Sequence, residues 1–184
     1  MTTFIYKNQD DKYYRIQTNG TSVFASTELK ENNVSLSNLV SVSYGNEVSS
    51  ISEQYSSTNY FYGAVDNKGN VYTWADGSGF GYNNYGKLGN NTTDSAPTTP
   101  TIINSNFSPA IASDDKVIKI VCGYFNIFYI TQNGKLYGSG YNDSTYYNNR
   151  ITTDNTKYHV VPTAVDGIPN GIKIKDVLVD NIIL

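Results

Sequence analysis

Residues 60–89, YFYGAVDNKGNVYTWADGSGFGYNNYGKLG, decide how the rest of the chain is read. The stretch opens on a short apolar run, turns at Asn67-Lys68-Gly69 and returns through Val71, Tyr72 and Trp74. Turn residues flanked by β-branched and aromatic residues predict a β-hairpin. Gly69 supplies the positive φ such a turn needs, because it has no Cβ to clash. Beyond Trp74 the chain becomes rich in Gly and Asn and closes on Gly86-Lys87-Leu88-Gly89.

Working outward, the same pattern occurs again. Leu39-Val40-Ser41-Val42-Ser43-Tyr44-Gly45 alternates and ends in Gly, and so does Val117-Ile118-Lys119-Ile120-Val121-Cys122-Gly123. The second copy continues through Tyr124 to Thr131, turns at Gln132-Asn133-Gly134 and returns over Lys135 to Gly140. Gly69 and Gly134 are 65 residues apart, whereas Gly45 and Gly123 are 78 apart. The difference falls between Gly45 and Gly69, which places an insertion rich in Ser and Glu at 46–59. Loops absorb added length at small entropic cost, so a surface excursion is expected there. A recurring unit of this length points to propeller-like repetition.

These residues resemble the regulator of chromosome condensation repeat, which recurs once per propeller blade. Gly63-Ala64-Val65-Asp66, Gly69-Asn70-Val71-Tyr72-Thr73-Trp74 and Gly86-Lys87-Leu88-Gly89 fill the places of that repeat's strand, hairpin and loop. Pro97, Pro100 and Ile102-Ile103, and again Val160 to Val165, stand where the family has its post-loop edge. Ala75 departs from the family's Gly after Trp. The second repeat lacks the GKLG-type motif; Asn149-Arg150-Ile151-Thr152 sits near its place, so that loop need not follow the first. The resemblance implies an all-β fold, a partial β-propeller-like array of antiparallel sheets with about two full repeats plus terminal strands. It also implies an intracellular scaffold or regulator. Guanine-nucleotide exchange, the founding member's activity, is not expected, because five further blades and a basic tail are missing.

The whole of 1–184 is expected to form one all-β domain. Its parts are N-terminal strands at 1–37, a first repeat at 38–104, a second at 116–165, and at 171–184 the start of a further repeat or a closing strand. Residues 4–28 read as short strands by their alternation, while Glu28 to Ser37 fits either one helical turn or a loop. The run IYKNQDDKYYRIQ at 5–17 resembles the opening of some tail-associated proteins of phages of low-GC Gram-positive bacteria. Repeat units cannot bury their faces alone, and Ile182-Ile183-Leu184 would leave a sticky edge. Either the chain's ends pair with each other or they pair with another copy; the C-terminal strand is expected to complete a sheet across a subunit boundary, making a homo-oligomer or part of a larger assembly.

A net charge of −3 with 16% charged residues argues against a nucleic-acid partner. No apolar run approaches the roughly 20 residues of a membrane span, so no membrane insertion is expected. The N-terminus shows no secretory signal. Cys122, alone in the chain, reads as a buried strand thiol. His159 is the single candidate base for a nucleophile relay and reads as structural or exposed. One Cys and one His cannot build a zinc cluster, and Gly77 to Gly81 lacks the third glycine of a dinucleotide fingerprint. Asp114-Asp115 reads as a solvated turn. No cofactor, metal or catalytic residue is expected.

The chain holds 17 Tyr and 23 Asn. Either AT-rich codon usage or a recognition surface accounts for this, since Tyr gives rigid contact area and Asn adaptable hydrogen bonding. The two loops after the hairpins, Phe80 to Tyr85 and Tyr141 to Arg150, put both residue types at equivalent repeat positions. The candidate binding residues are Tyr82, Asn83, Asn84, Tyr85, Tyr141, Asn142, Asp143, Tyr146 and Tyr147. Aromatic platforms with planar amides suit a protein surface or a cell-surface glycan. The alternative is that the rings pack between blades and the Asn residues shape turns. The expected function is a non-enzymatic interaction module: a phage or phage-like tail component located in the virion and touching the host surface or neighbouring subunits. The second reading is the scaffold or regulator, cytoplasmic in location.

Overall fold

A computed structural model describes residues 2–18, 26–48, 58–77, 82–94, 96–143 and 150–179. The strands are β1 (Thr2–Lys7), β2 (Tyr13–Thr18), β3 (Thr27–Glu28), β4 (Lys30–Glu31), β5 (Val34–Ser35), β6 (Leu39–Val48), β7 (Thr58–Asp66), β8 (Val71–Ala75) and β9 (Thr101–Ile102). They continue as β10 (Val117–Cys122), β11 (Asn126–Thr131), β12 (Leu136–Tyr141) and β13 (Tyr158–Ala164). Two four-stranded antiparallel meanders result, β6-β7-β8-β9 and β10-β11-β12-β13, here called blade 1 and blade 2. The first strands form a three-stranded sheet, β1-β2-β3, and β4-β5 is a short hairpin. The fold is all-β and propeller-like. No described helix is long and apolar enough to cross a membrane.

One turn chemistry builds the hairpins of both blades. In blade 1 the Asp66 carboxylate accepts the N–H groups of Lys68 and Asn70, each at 2.9 Å, and Gly69 takes φ +86°. In blade 2 the Thr131 hydroxyl accepts the Lys135 N–H at 3.2 Å, and Gly134 takes φ +83°. The β1–β2 turn is a third copy. Asn8 Oδ1 accepts the N–H groups of Asp10 and Lys12 at 3.0 Å, and Asp11 sits at φ +59°. The junction with the outer strand repeats as well. Leu29 N–H donates to Tyr13 O, Ile103 to Val71 and Val165 to Leu136, at 2.8, 3.0 and 2.9 Å. The N-terminal sheet therefore corresponds to the second, third and fourth strands of a blade.

Period-two alternation gives every blade two faces to bury. Phe61 and Val65 point toward blade 2 and share a core with Ile120, Ile127, Tyr129 and Tyr137. Tyr60, Tyr62 and Ala64 point the other way, onto Leu29 and Leu36 of the N-terminal unit. Trp74, 1% exposed, stacks on Tyr62 at 5.3 Å in that second core. The Arg15 guanidinium bonds Asp76, which also accepts the Tyr62 hydroxyl at 2.9 Å, so a charge pair fastens the N-terminal unit to blade 1. The first strands of the blades lie side by side. Ser41 Oγ accepts the Ile120 N–H at 3.1 Å and Ser43 Oγ the Cys122 N–H at 2.9 Å. A Cβ on Gly63 would come within 2.3 Å of Ile120 Cδ1, so that strand crosses the next blade at contact distance.

Several expectations change. Residues 28–37, left open between helix and loop, form the β4–β5 hairpin, with Asn32 and Asn33 at positive φ and Leu29 and Leu36 buried on either side. The insertion is not all loop: β6 and β7 stay paired to Val48↔Thr58, and residues 49–57 lie outside the described ones. Asp115 is no solvated turn residue, since its Oδ1 accepts the N–H groups of Lys116 and Asn133, clamping the blade 2 hairpin. Residues 171–179 hold no strand, and Asn181 to Leu184 lie outside the described residues.

Candidate interaction site

The loops after β8 and β12 emerge from the same end of the two blades, and one buried amide organises each. Asn83, 1% exposed, donates from Nδ2 to Asn90 Oδ1 and Thr92 O, both at 2.8 Å, and accepts the Leu88 N–H at 3.1 Å. Asn142, 2% exposed, donates to Thr156 O at 2.7 Å and accepts the Ile151 and Thr152 N–H groups at 2.7 and 2.9 Å. Each loop thereby drives one aliphatic plug, Leu88 or Ile151, to full burial. The second loop, free by its sequence to differ, is held like the first, with Ile151 in the place of Leu88.

The first loop is also the fastening between blades. Gly86, at φ +71°, would bring a Cβ within 2.7 Å of Val160 Cα on β13. The Lys87 carbonyl accepts the Ser139 hydroxyl of β12 at 2.7 Å, and Asn91 N–H donates to Val160 O at 2.8 Å. Lys87 itself is fully buried, its ammonium 3.1 Å from Asn84 Oδ1 and 5.2 Å from the Phe61 ring centre. Tyr85 reaches across to blade 2, its ring 5.1 Å from Phe125, 5.2 Å from Tyr141 and 5.4 Å from Tyr158.

The profile of the regulator of chromosome condensation (RCC1) repeat matches residues 68–130, and a second profile of the same repeat matches 117–145. Residues 68–145 carry RCC1 repeats. Among solved structures, Prp20p from Saccharomyces cerevisiae aligns over 90% of this chain and 36% of its own, at 14% identity and TM-score 0.60. Yeast RCC1 (Prp20) in complex with Kap60 aligns over 91% of this chain and 36% of its own, at 13% identity and TM-score 0.59. At such identity the likeness is one of fold, and the chain spans about a third of the length of these neighbours.

Within the RCC1 repeats, Tyr82-Asn83 and Tyr141-Asn142 are the equivalent pairs. They stand 59 residues apart, whereas Gly69 and Gly134 stand 65 apart, so the six-residue difference falls in the stretch between Ala75 and Tyr82. Of the residues singled out by sequence, Tyr85 and Tyr141 come together in the aromatic cluster. Tyr82 is half-buried against the core between the blades, with a Cβ on Gly77 within 2.7 Å of its ring. Asn83 and Asn142 brace loops. Asn84 and Asp143 are half-buried, and Tyr146 and Tyr147 lie outside the described residues. Sequence reading passed over Tyr124, Phe125 and Tyr158. Tyr124 packs edge-on against Phe125 at 4.3 Å, and Tyr158 is 37% exposed. Their signal was the aromatic pair directly after Gly123.

His159 sits below this cluster with Nε2 2.7 Å from the Thr152 hydroxyl and 8% exposed. Burial holds its pKa below the usual 6.5 against the pull of Asp154 and Asp166. Cys122 is a buried thiol, pushed up to about 12 by burial.

Proposed function

We propose that this chain is a protein-binding module, a scaffold or regulator of the RCC1-repeat kind, and that its contact face is the loop end of the blades. One observation carries this reading. A shared aromatic cluster spans two blades, with the half-buried rings of Tyr85 and Tyr124 and the exposed ring of Tyr158 at its rim, beside loop residues braced by the buried amides Asn83 and Asn142. Rigid aromatic edges above a braced backbone lose little entropy on contact, which suits protein recognition. Prp20p is described by its binding to Gsp1p and histones, and yeast RCC1 by its complex with Kap60. Protein binding by repeats of this kind supports the same class of role here, and a cytoplasmic placement belongs to it.

The tail-component reading, with its virion location and host-surface or glycan ligand, rests on residues 5–17. That run builds β1, its turn and β2, whose hydrogen bonds are the repeat's own, so the fold accounts for it without a phage. The test is a comparison of Tyr124→Ala/Tyr158→Ala with Lys68→Ala, which lies at the opposite, hairpin-turn end. The tyrosine variant is expected to lose a partner captured by the wild-type chain while Lys68→Ala retains it, both with unchanged thermal midpoints. Equal loss in both variants would refute the assignment of this face. Glycan-array binding abolished by the same tyrosines would favour the surface-ligand reading instead.

A further inference from the structure

The two loop braces differ in one chemical respect. Asn83 is held by Asn90, Thr92 and Leu88, and none of these groups titrates near neutral pH. The Asn142 brace includes a histidine. Asn142 Nδ2 donates to Thr156 O at 2.7 Å and to Thr152 Oγ1 at 3.1 Å. Thr152 Oγ1 in turn lies 2.7 Å from His159 Nε2, and both side chains are buried. An amide N–H only donates, so the Thr152 oxygen accepts from Asn142 and has its own proton left for His159. Nε2 is then the acceptor, the imidazole is neutral, and its proton sits on Nδ1.

We propose that this brace is a pH-operated latch on residues 151–156, shut while the His159 imidazole is neutral and released when it takes up a proton. The added proton turns Nε2 from acceptor to donor, so the Thr152 hydroxyl must direct its own proton elsewhere. The new charge also acts on two carboxylates already in use. Asp154 Oδ1 accepts the Thr156 N–H at 2.9 Å and lies 4.0 Å from His159 Nε2. Asp166 Oδ2 accepts the N–H and the hydroxyl of Thr153, each at 2.8 Å. An imidazolium competes for both, and each carboxylate it draws away frees a loop N–H. Burial works in the same direction, because a charged ring is more stable in water than under the loop at 8% exposure. From β12 the ring meets Gly140, its strand partner, which brings no charge. Among the described residues burial outweighs the pull of Asp154 and Asp166, the two charges that act on the ring.

The latch adjoins one side of the contact face. Tyr158 directly precedes His159 on β13, and Tyr141 directly precedes Asn142 at the end of β12, their ring centres 6.1 Å apart. Release of residues 151–156 takes support from those two rings, whereas Tyr85 stays in the loop that Asn83 braces. Acidification thus loosens the blade 2 half of the face and leaves the blade 1 half in place. That consequence rests on the binding role proposed above, whereas the latch is read on the protein alone.

NMR on the full chain supplies both tests. Long-range proton–nitrogen correlation of the imidazole at about pH 7.5 is expected to show Nδ1 protonated and Nε2 bare. Amide exchange at Ile151 and Thr152, corrected for the intrinsic effect of pH, is expected to quicken up to about tenfold between about pH 7.5 and about pH 5.5. That is about one decade for each pH unit below the ordinary 6.5. Leu88, whose N–H sits on Asn83, is expected to keep its protection over the same interval. In His159→Gln the exchange of Ile151 and Thr152 is expected to lose its pH dependence, whatever its absolute level. A ring protonated at Nε2, equal quickening at Leu88, or an unchanged pH dependence in His159→Gln would overturn the latch. None of these readouts involves Tyr124 or Tyr158, so a failed latch leaves the contact face standing, and a failed contact face leaves the latch.

Discussion

At the scale of single residues, two amides carry more of this structure than their type suggests. Asn142 satisfies two backbone N–H groups and one carbonyl within a loop whose main chain has no ladder to join. Replacing it by Ala leaves the Ile151 and Thr152 N–H groups unpaired in a buried site, so Asn142→Ala is expected to cost roughly 2–3 kcal/mol in urea unfolding. The same chemistry makes Asn83 and Asn142 poor ligand contacts: a side chain spent on its own loop has little left to offer a partner. Sequence placed both at the correct loops, and spacing gave no hint of their burial, because only the backbone path decides which way an amide turns.

His159 gives the molecule a pH dependence of definite sign. Its folded pKa lies below the ordinary 6.5, so the unfolded chain takes up the proton first as pH falls. Stability from this group is complete above the ordinary value and is lost progressively below it. The urea midpoint is expected to fall between about pH 7.5 and about pH 5.5, and His159→Gln to fall less over the same interval. Equal falls would place the pH sensitivity elsewhere.

At the scale of elements, the blades were legible wherever a glycine turn and aromatic strands coincide, as at Gly69 and Gly134. The N-terminal copy stayed hidden because Asn8 and Asp11 do there what Asp66 and Gly69 do in blade 1, and a left-handed Asp leaves no signature as plain as a glycine. The likeness of the second loop's bracing to the first was not legible, because residues 143–150 separate its bracing amide, Asn142, from its plug, Ile151. The clasp between blades is an element-scale property, and Gly86 tests it. Gly86→Ala combines a left-handed backbone with a close approach to Val160, whereas Gly167→Ala, at φ +77°, has nothing within 4 Å of its Cβ. Backbone strain alone costs about 1–3 kcal/mol at either site, so the expected excess destabilisation of Gly86→Ala measures the seating of the loop on blade 2.

At the scale of the whole molecule, repetition was visible in the sequence while its phase was not. The phase needs the third hairpin and the Lys173–Gly134 approach, neither of which any motif announces. The direction of the clasp has its own consequence for how such a chain comes into being. The loop that finishes blade 1 rests on Ser139, Val160 and Pro162, residues translated well after it. A polypeptide leaving the ribosome from its N-terminus can form the blade 1 ladder early, yet Leu88 and Lys87 have no complete seat until β13 has emerged. Fastening of the blade 1 loop therefore waits for blade 2, and the nascent chain carries that loop unseated until β13 has been made.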